Sequence, residues 1–233
     1  MKEPIRHFFN KYGFQPKLIK HLICGEKYIA VMLNDGKTGV CSTLMNHVPE
    51  FIPEIHDKNI DDTANRIILN AYYNALLNNN NNYDHIIDIF NAIDFKEYEE
   101  IVMIGFFKSL VKKFKNEHIP LQIFDKIEQN PVLTDMKEQM QAVSKADCII
   151  LSGTTVFNHT YKEITENSRN NCDIFLLLPS NILHDDMFHY KNIKVVFGSV
   201  FEKYDYRLLE IIAEGGGTRS FLKHLKKVYL SNL

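Results

Sequence analysis

Small polar residues cluster where an apolar run gives way to an amphipathic one, in the stretch ILSGTTVFNHTYKEI at residues 150–164. The junction contains Gly153, Thr154, Thr155, Asn158 and Thr160. A glycine lets a ligand approach the backbone, and hydroxyls beside the free N–H groups of a helix start can hold an anionic or carbonyl group. The same residue types also cap helices. The stretch therefore predicts either a polar ligand cradle or a helix cap, and the residues alone favour neither.

Three more apolar runs end in small or polar residues, at Gly105, at Pro179 with Ser180, and at Gly198 with Ser199. Ligands of open α/β sheets bind beyond the carboxyl ends of the strands, so we predict a shared crevice at these ends. The candidate ligand-binding residues are Gly105, Phe106, Phe107, Gly153, Thr154, Thr155, Asn158, Thr160, Pro179, Ser180, Asn181, Gly198, Gly215 and Gly216.

Four members of this set have an ordinary structural interpretation beside the functional one. The EGGG turn that contains Gly215 and Gly216 lets the backbone approach a neighbour closely, but a simple turn between helices explains it almost as well. Phe106 and Phe107 could stack on a flat ligand, although aromatic residues of this kind more often belong to a core.

Glu128 is the candidate catalytic residue, because it lies in the turn after the apolar run IPLQIF. An acidic residue there could act as a general acid or base or bind a ribose hydroxyl, and a surface carboxylate is the alternative. Asp185 and His189 are four residues apart and could place two metal ligands on one helical face. No third ligand lies nearby, so we expect a solvated surface instead.

The four cysteines are scattered and form no CxxC pair, which favours reduced core residues over a metal site. They are Cys24, Cys41, Cys148 and Cys172. We therefore predict no bound metal among the site residues, and the sequence identifies no cofactor.

Composition limits the class of protein. The 233 residues are 45% hydrophobic and 24% charged, which is typical of a folded chain with a real core. A net charge of −2 without a cluster of basic and aromatic residues argues against a nucleic-acid partner. The first residues lack the uninterrupted apolar core that is typical of a signal peptide, and no run approaches the roughly 20 apolar residues of a membrane span. We therefore expect a cytoplasmic protein without a membrane partner. Homo-oligomerisation stays open.

The first third of the chain has the pattern of a small α+β domain, which we place at residues 1–82. Three short β-like runs lie between residues 17 and 43, and the turn at Asn34, Asp35 and Gly36 favours a hairpin. A helix follows, with Asp61 or Asp62 as its cap. The polar run NNNNN at 78–82 then marks the linker.

From residue 100 onward, apolar β-runs alternate with amphipathic helical stretches, as in EIVMIG, DCIILSG, DIFLLLP and IKVVFGS. Continuous apolar strands separated by helices indicate a parallel sheet covered on both faces. The predicted fold class is therefore α/β, with a second, Rossmann-like parallel α/β domain at residues 83–233.

Several segments, taken in order, resemble one known family. LSGTTVFNHTYKEI is similar to the TGTTLVNGT-type signature of the heavy-metal chelation family, a domain of unknown function. VMIGFFKSL, LLPSNIL and the closing run that ends in EGGG look like further segments of that family. VMLNDGKTGVCST and NRIILNAYYNAL look like its companion N-terminal domain, which is similar to the N-terminal domain of enolases.

The resemblance implies an enolase-N-like domain, then a Rossmann-like domain, with a ligand cleft between them. It also implies a role in metal homeostasis or in the metabolism of cobalamin-, pterin- or siderophore-like molecules. Phe106 stands where the family segment often has His, Lys108 where it has Pro, and His159 and Leu178 where it has Gly. Two classes of function follow: a protein that binds a small molecule or metal complex, or an enzyme for condensation, hydrolysis or group transfer.

Overall fold

The computed structural model describes residues 2–80, 83, 89–126, 130–177 and 179–232. Two sheets organise these residues, a small antiparallel sheet and a six-stranded, mostly parallel one. The predicted α/β fold class is thereby confirmed. None of the helices in the described ranges is long and apolar enough to cross a membrane.

The small sheet has the order β1-β2-β3 and is antiparallel throughout. Its strands are β1 (Ile19–Cys24), β2 (Tyr28–Leu33) and β3 (Thr38–Ser42), and its helices are α1 (Pro4–Tyr12) and α2 (Thr63–Leu77). The predicted hairpin turn is confirmed: Gly36 has a φ of +84°, and its N–H donates to the Leu33 carbonyl. A left-handed conformation of this kind favours glycine.

Helix α2 begins where the sequence predicts. The carboxylate of Asp62 accepts a hydrogen bond from the Asn65 N–H at 3.2 Å, which caps the helix. The helix packs directly on the backbone of β3, since a Cβ at Gly39 would lie 2.2 Å from the carbonyl oxygen of Ala71. Only glycine permits this approach.

The large sheet has the order β5-β4-β6-β7-β8-β9. Its strands are β4 (Ile101–Ile104), β5 (Gln122–Phe124), β6 (Cys148–Ser152), β7 (Asp173–Leu177), β8 (Ile193–Phe201) and β9 (Leu225–Ser231). The helices of this part are α3 (Ile89–Ala92), α4 (Lys108–Asn116), α5 (Gln139–Lys145), α6 (Tyr161–Asn167) and α7 (Tyr206–Ala213). Strands β4 to β8 are parallel, as predicted, whereas β9 is antiparallel to β8.

The antiparallel strand β9 corrects one prediction. Gly198 and Ser199 do not end a strand, because β8 continues to Phe201 and pairs Gly198 with Val228 and Ser199 with Lys227. Gly198 is needed for packing, since a Cβ there would lie 2.5 Å from Cγ of Leu183. Gly198 therefore lies inside the sheet. It does not lie at the carboxyl rim, the edge formed by the carboxyl ends of the parallel strands.

Helix α7 lies late in the chain but packs on the small sheet. Leu208 and Ile212 are buried against Ala30, Met32 and Val40 in one apolar cluster. A Cβ at Gly25, in the turn between β1 and β2, would lie 1.9 Å from the carbonyl oxygen of Ile212. The small sheet is thus covered by α2 and α7, although the two helices come from opposite parts of the sequence. The domain boundary at residue 82 stays a prediction.

Candidate functional site

The strand order places the ends of β4 and β6 side by side. The chain runs from β4 outward to β5 and then returns past β4 to β6, which makes this pair of ends the topological switch point of the sheet. Ile104 pairs with Leu151, and a Cβ at Gly105 would lie 2.9 Å from Cβ of Ser152. Two of the predicted strand ends therefore meet at one point of the carboxyl rim.

The end of β4 is shaped by a left-handed glycine. Gly105 has a φ of +102°, and its N–H donates to the carbonyl oxygen of Phe124 at 2.8 Å. The next N–H, of Phe106, donates to Oδ2 of Asp125 at 2.8 Å. Phe106 and Phe107 are both half-buried before α4 begins. Asp125 was not among the predicted site residues, although an acidic residue directly after β5 is a signal that the sequence contains.

The end of β6 carries two facing hydroxyls. Oγ of Ser152 and Oγ1 of Thr154 are 2.9 Å apart, and Oγ1 of Thr155 donates to the Ser152 carbonyl at 2.7 Å. A 3₁₀ turn at Gly153–Val156 follows. Thr155 is buried and engaged in this turn, so its structural role is the one the geometry supports. Only one hydroxyl hydrogen can lie between Ser152 and Thr154, which leaves the other to donate outward.

Asn158 and Thr160 bind each other. Oδ1 of Asn158 accepts from the Thr160 N–H at 3.2 Å and from its hydroxyl at 2.6 Å. His159 between them has a φ of +67°. Helix α6 therefore begins at Tyr161 rather than at His159, because a turn of left-handed backbone comes first.

Gly153 corrects an interpretation of the sequence. A Cβ at this position would lie 2.3 Å from Oδ1 of Asn181, so the missing side chain makes room for Asn181 and not for an approaching ligand. Asn181 is fully buried, and its Nδ2 donates to the Phe197 carbonyl at 2.7 Å. Its Oδ1 has no hydrogen-bond partner in the described part of the chain.

Residues of the small sheet reach the rim at Ser180, which follows β7. The Ser42 N–H donates to Oγ of Ser180 at 3.0 Å, and Nδ2 of Asn70 donates to its carbonyl oxygen at 2.8 Å. Pro179 and Ser180 are buried. The contact brings the end of β3 next to the end of β7.

A buried arginine positions the loop after β6, and sequence reasoning missed it. Arg66 of α2 is fully buried, and its guanidinium donates to the carbonyl oxygens of Phe157 at 2.6 Å and Val156 at 3.1 Å. Nη2 also lies 2.8 Å from Oε2 of Glu3. Burial lowers the pKa of Arg66, while Glu3 opposes that shift. One side chain thus joins α1, α2 and the loop.

The remaining predicted residues include two glycines near the turn between β1 and β2. Gly215 has a φ of +78° and packs near the side chain of Glu26, and Gly216 packs on Ile211 at the end of α7. Both therefore belong to the surroundings of the β1–β2 turn. The candidate catalytic residue Glu128 and the family position Leu178 lie outside the described residues.

The segment HDDMFH forms a polar cluster with α1 through residues other than the predicted pair. Oδ2 of Asp186 lies 2.6 Å from Nε2 of His7 and 2.7 Å from Nζ of Lys11. An ammonium group therefore occupies the position beside the carboxylate. In the ranges that the structure describes, no three His, Cys, Asp or Glu side chains form a group that could hold a metal ion.

Two family models match the chain, and both are described as "Putative heavy-metal chelation". One matches residues 88–231 and the other residues 8–77. The chain belongs to this family. The resemblance seen in the sequence is thereby confirmed, and the two matched segments together include every residue of the carboxyl rim described above.

Two solved structures of the DUF364 family, both of unknown function, share the fold. One from Pyrococcus horikoshii has a TM-score of 0.77 at 17% identity and covers 91% of this chain and 92% of its own. One from Desulfitobacterium hafniense DCB-2 has a TM-score of 0.70 at 16% identity and covers 98% of both chains. No curated protein matches the chain. At these identities the likeness shows the fold alone.

Proposed function

We propose that this family member binds a small polar organic molecule, or a metal ion held within such a molecule, at the carboxyl ends of β4, β6 and β7. The observation that carries the proposal is the switch point, where left-handed Gly105 adjoins the hydroxyl pair of Ser152 and Thr154. Crevices at switch points are the usual ligand sites of such sheets. The contact of Ser42 with Ser180 supports a crevice that the small sheet would close on one side.

The donor set at this rim suits a ligand oxygen better than a bare metal ion. Hydroxyl groups and backbone N–H groups donate hydrogen bonds to carbonyl, carboxylate or phenolate oxygens. Heavy metals prefer thiolate, imidazole or carboxylate ligands. A metal would therefore reach this rim together with an organic chelator, which accords with the family description.

The wider setting of the proposal follows the resemblance. An enolase-N-like domain at residues 1–82 and a Rossmann-like domain at 83–233 would each supply one wall of the cleft. A cytoplasmic role in metal homeostasis or cofactor metabolism would fit a ligand of this class.

An enzyme acting on the same class of molecule is the second candidate. The observation that favours it is Asp125, whose Oδ2 is held at the rim by the Phe106 N–H. A positioned carboxylate next to a ligand crevice can transfer protons as a general acid or base. Turnover of a pterin-like or siderophore-like molecule would require such a group.

Two measurements test the proposal: a search for a ligand that the purified protein retains, and thermal shifts with added candidate ligands. Native mass spectrometry of gently purified protein is expected to show a retained organic mass, with or without a metal. Thermal shifts are then measured with zinc(II) alone, with the iron(III) complex of 2,3-dihydroxybenzoate and with pterin-6-carboxylate. We expect an organic probe to raise the melting temperature more than zinc(II).

A double variant, Ser152→Ala with Thr154→Val, is expected to lose most of the probe-induced shift. Ser144→Ala is the matched control, because its exposed hydroxyl donates to the Gln141 carbonyl of its own helix. A strong shift by zinc(II) alone, kept in the double variant, would contradict the proposal.

A further inference from the structure

The turn after β3 has an unusual backbone for its sequence. The Asn46 N–H donates to the Thr43 carbonyl at 2.9 Å, and the two central residues, Leu44 and Met45, have φ values of +48° and +61°. Turns with positive φ at both centres are dominated by Gly, Asn and Asp, because a Cβ crowds the backbone there. Neither Leu nor Met is among the residues that favour this conformation.

Neighbouring side chains hold the turn in place. Oγ1 of Thr43 accepts from the Met45 N–H at 3.1 Å, and Oγ of Ser42 accepts from the Leu44 N–H at 3.3 Å. Nδ2 of Asn46 also donates to the Thr43 carbonyl at 2.8 Å. The strained backbone is therefore over-determined by its surroundings, which is common where a turn serves a ligand.

Packing does not explain the methionine. The Met45 side chain is 56% exposed, whereas Leu44 is half-buried against the main core. A large apolar side chain that is exposed on a strained turn gains little from folding. The remaining observation is the start of the turn, because Ser42, three residues before Met45, donates to Ser180 after β7.

We propose that Met45 is a ligand-contacting residue, presented by the strained turn as the small sheet's wall of the crevice. A flexible, polarisable thioether packs well against the edge or face of an aromatic ring. The ligand class this fits is a flat aromatic molecule with polar oxygens, such as a catechol or a pterin. The inference rests on the proposed function and adds the aromatic part of the ligand to it.

The experiment separates the effect of backbone strain from the effect of ligand contact. It compares Met45 with His118, a second exposed residue with left-handed backbone. His118 has a φ of +55° at the end of α4, which is the opposite end of that helix from the rim. Asn tolerates left-handed backbone, so Met45→Asn and His118→Asn should each raise the melting temperature, by about 2–4 °C if the relieved strain is near the usual value. Met45→Leu keeps both the strain and an apolar side chain.

The probe is the iron(III) complex of 2,3-dihydroxybenzoate, followed by thermal shift. We expect Met45→Asn to lose at least half of the probe-induced shift, Met45→Leu to lose less, and His118→Asn to keep all of it. A full shift in Met45→Asn while the Ser152/Thr154 double variant loses it would overturn the inference and leave the proposed function standing. If neither that probe nor pterin-6-carboxylate shifts the wild-type protein, the proposed function fails, and the inference fails with it.

Discussion

Nε of Arg66, in helix α2, donates a hydrogen bond of 2.6 Å to the carbonyl oxygen of Phe157, ninety-one residues later in the chain. The same guanidinium reaches Val156 and Glu3, so a fully buried cation fixes the loop after β6 to the first helix pair. The loop's position therefore depends on the small sheet's helices as much as on its own strand.

Replacing Arg66 is expected to destabilise the protein strongly. In Arg66→Met the two carbonyls lose their donor inside the core, and Glu3 loses its cation, so we expect a loss of about 2–4 kcal/mol in the free energy of unfolding. Urea denaturation measures it. Arg6→Met is the control, because Arg6 pairs with exposed Asp61 and should cost less than about 1 kcal/mol. Equal losses in both variants would contradict a special role for the buried group.

Adding a methyl group at Gly153 is expected to disturb the fold rather than only a ligand. In Gly153→Ala the new Cβ would lie 2.3 Å from Oδ1 of Asn181, and overpacking of this kind typically costs about 1–3 kcal/mol. Shortening the neighbour in Gly153→Ala/Asn181→Ser should recover part of the loss. Gly217→Ala is the comparison, since its Cβ would meet only Cδ of Lys27 at 3.5 Å. The prediction is wrong if thermal melting finds both alanine variants equally stable.

Acid is expected to weaken the contact between α1 and the segment after β7. Burial alone would raise the pKa of Asp186, but hydrogen bonds from His7 and Lys11 outweigh it and lower the pKa to about 2. A carboxyl with a depressed pKa stabilises the fold above its unfolded pKa of about 3.9, and that contribution disappears as the pH falls towards 2. This carboxylate contributes at most about 2–3 kcal/mol to the free energy of unfolding.

The measurement is the free energy of unfolding of wild type and Asp186→Asn between pH 2 and 5. The free energy of unfolding of the wild type should exceed that of Asp186→Asn at pH 5, and the difference should shrink as the pH falls towards 2. A difference between the two proteins that stays constant from pH 5 to pH 2 would exclude Asp186 as its source.

The cysteines are expected to react slowly with alkylating reagents in the native protein. Burial raises the pKa of Cys24 to about 11, and of Cys41 and Cys172 to about 12. Because these pKa values are high, little thiolate exists at pH 8. The thiolate is the form that reacts with alkylating reagents, so the reaction should be slow. Mass spectrometry after iodoacetamide should find Cys24 modified first, because it alone is half-buried rather than buried. Rapid modification of Cys41 without denaturant would contradict this order.

The sequence predicted those parts of the fold that depend on interactions between residues close together in the chain. The turn at Gly36 and the cap at Asp62 were confirmed because a left-handed glycine and a capping carboxylate act within three residues of themselves. Parallel strands such as β6 were confirmed because a strand buried on both faces must be apolar throughout.

Other features depend on partners that are distant in the sequence. Strand β9, with the sequence LKKVYLS, was not predicted, because only its pairing with β8 distinguishes it from an amphipathic surface segment. Arg66 was missed for the same reason, since its acceptors are backbone carbonyls that no side-chain pattern reveals. The turn at Leu44 and Met45 runs against residue preference altogether, and such positions are found only by measuring φ.

The packing of α7 on the small sheet affects the order in which the chain can fold during synthesis. Strands β1 to β3 are made first, but the side chains of Ala30, Met32 and Val40 stay uncovered until Leu208 and Ile212 have left the ribosome. Contacts so distant in sequence close a long loop late, which slows folding and exposes apolar surface meanwhile. The nascent small sheet therefore leaves this apolar surface uncovered for most of translation, and a fragment that ends before α7 would leave it uncovered permanently.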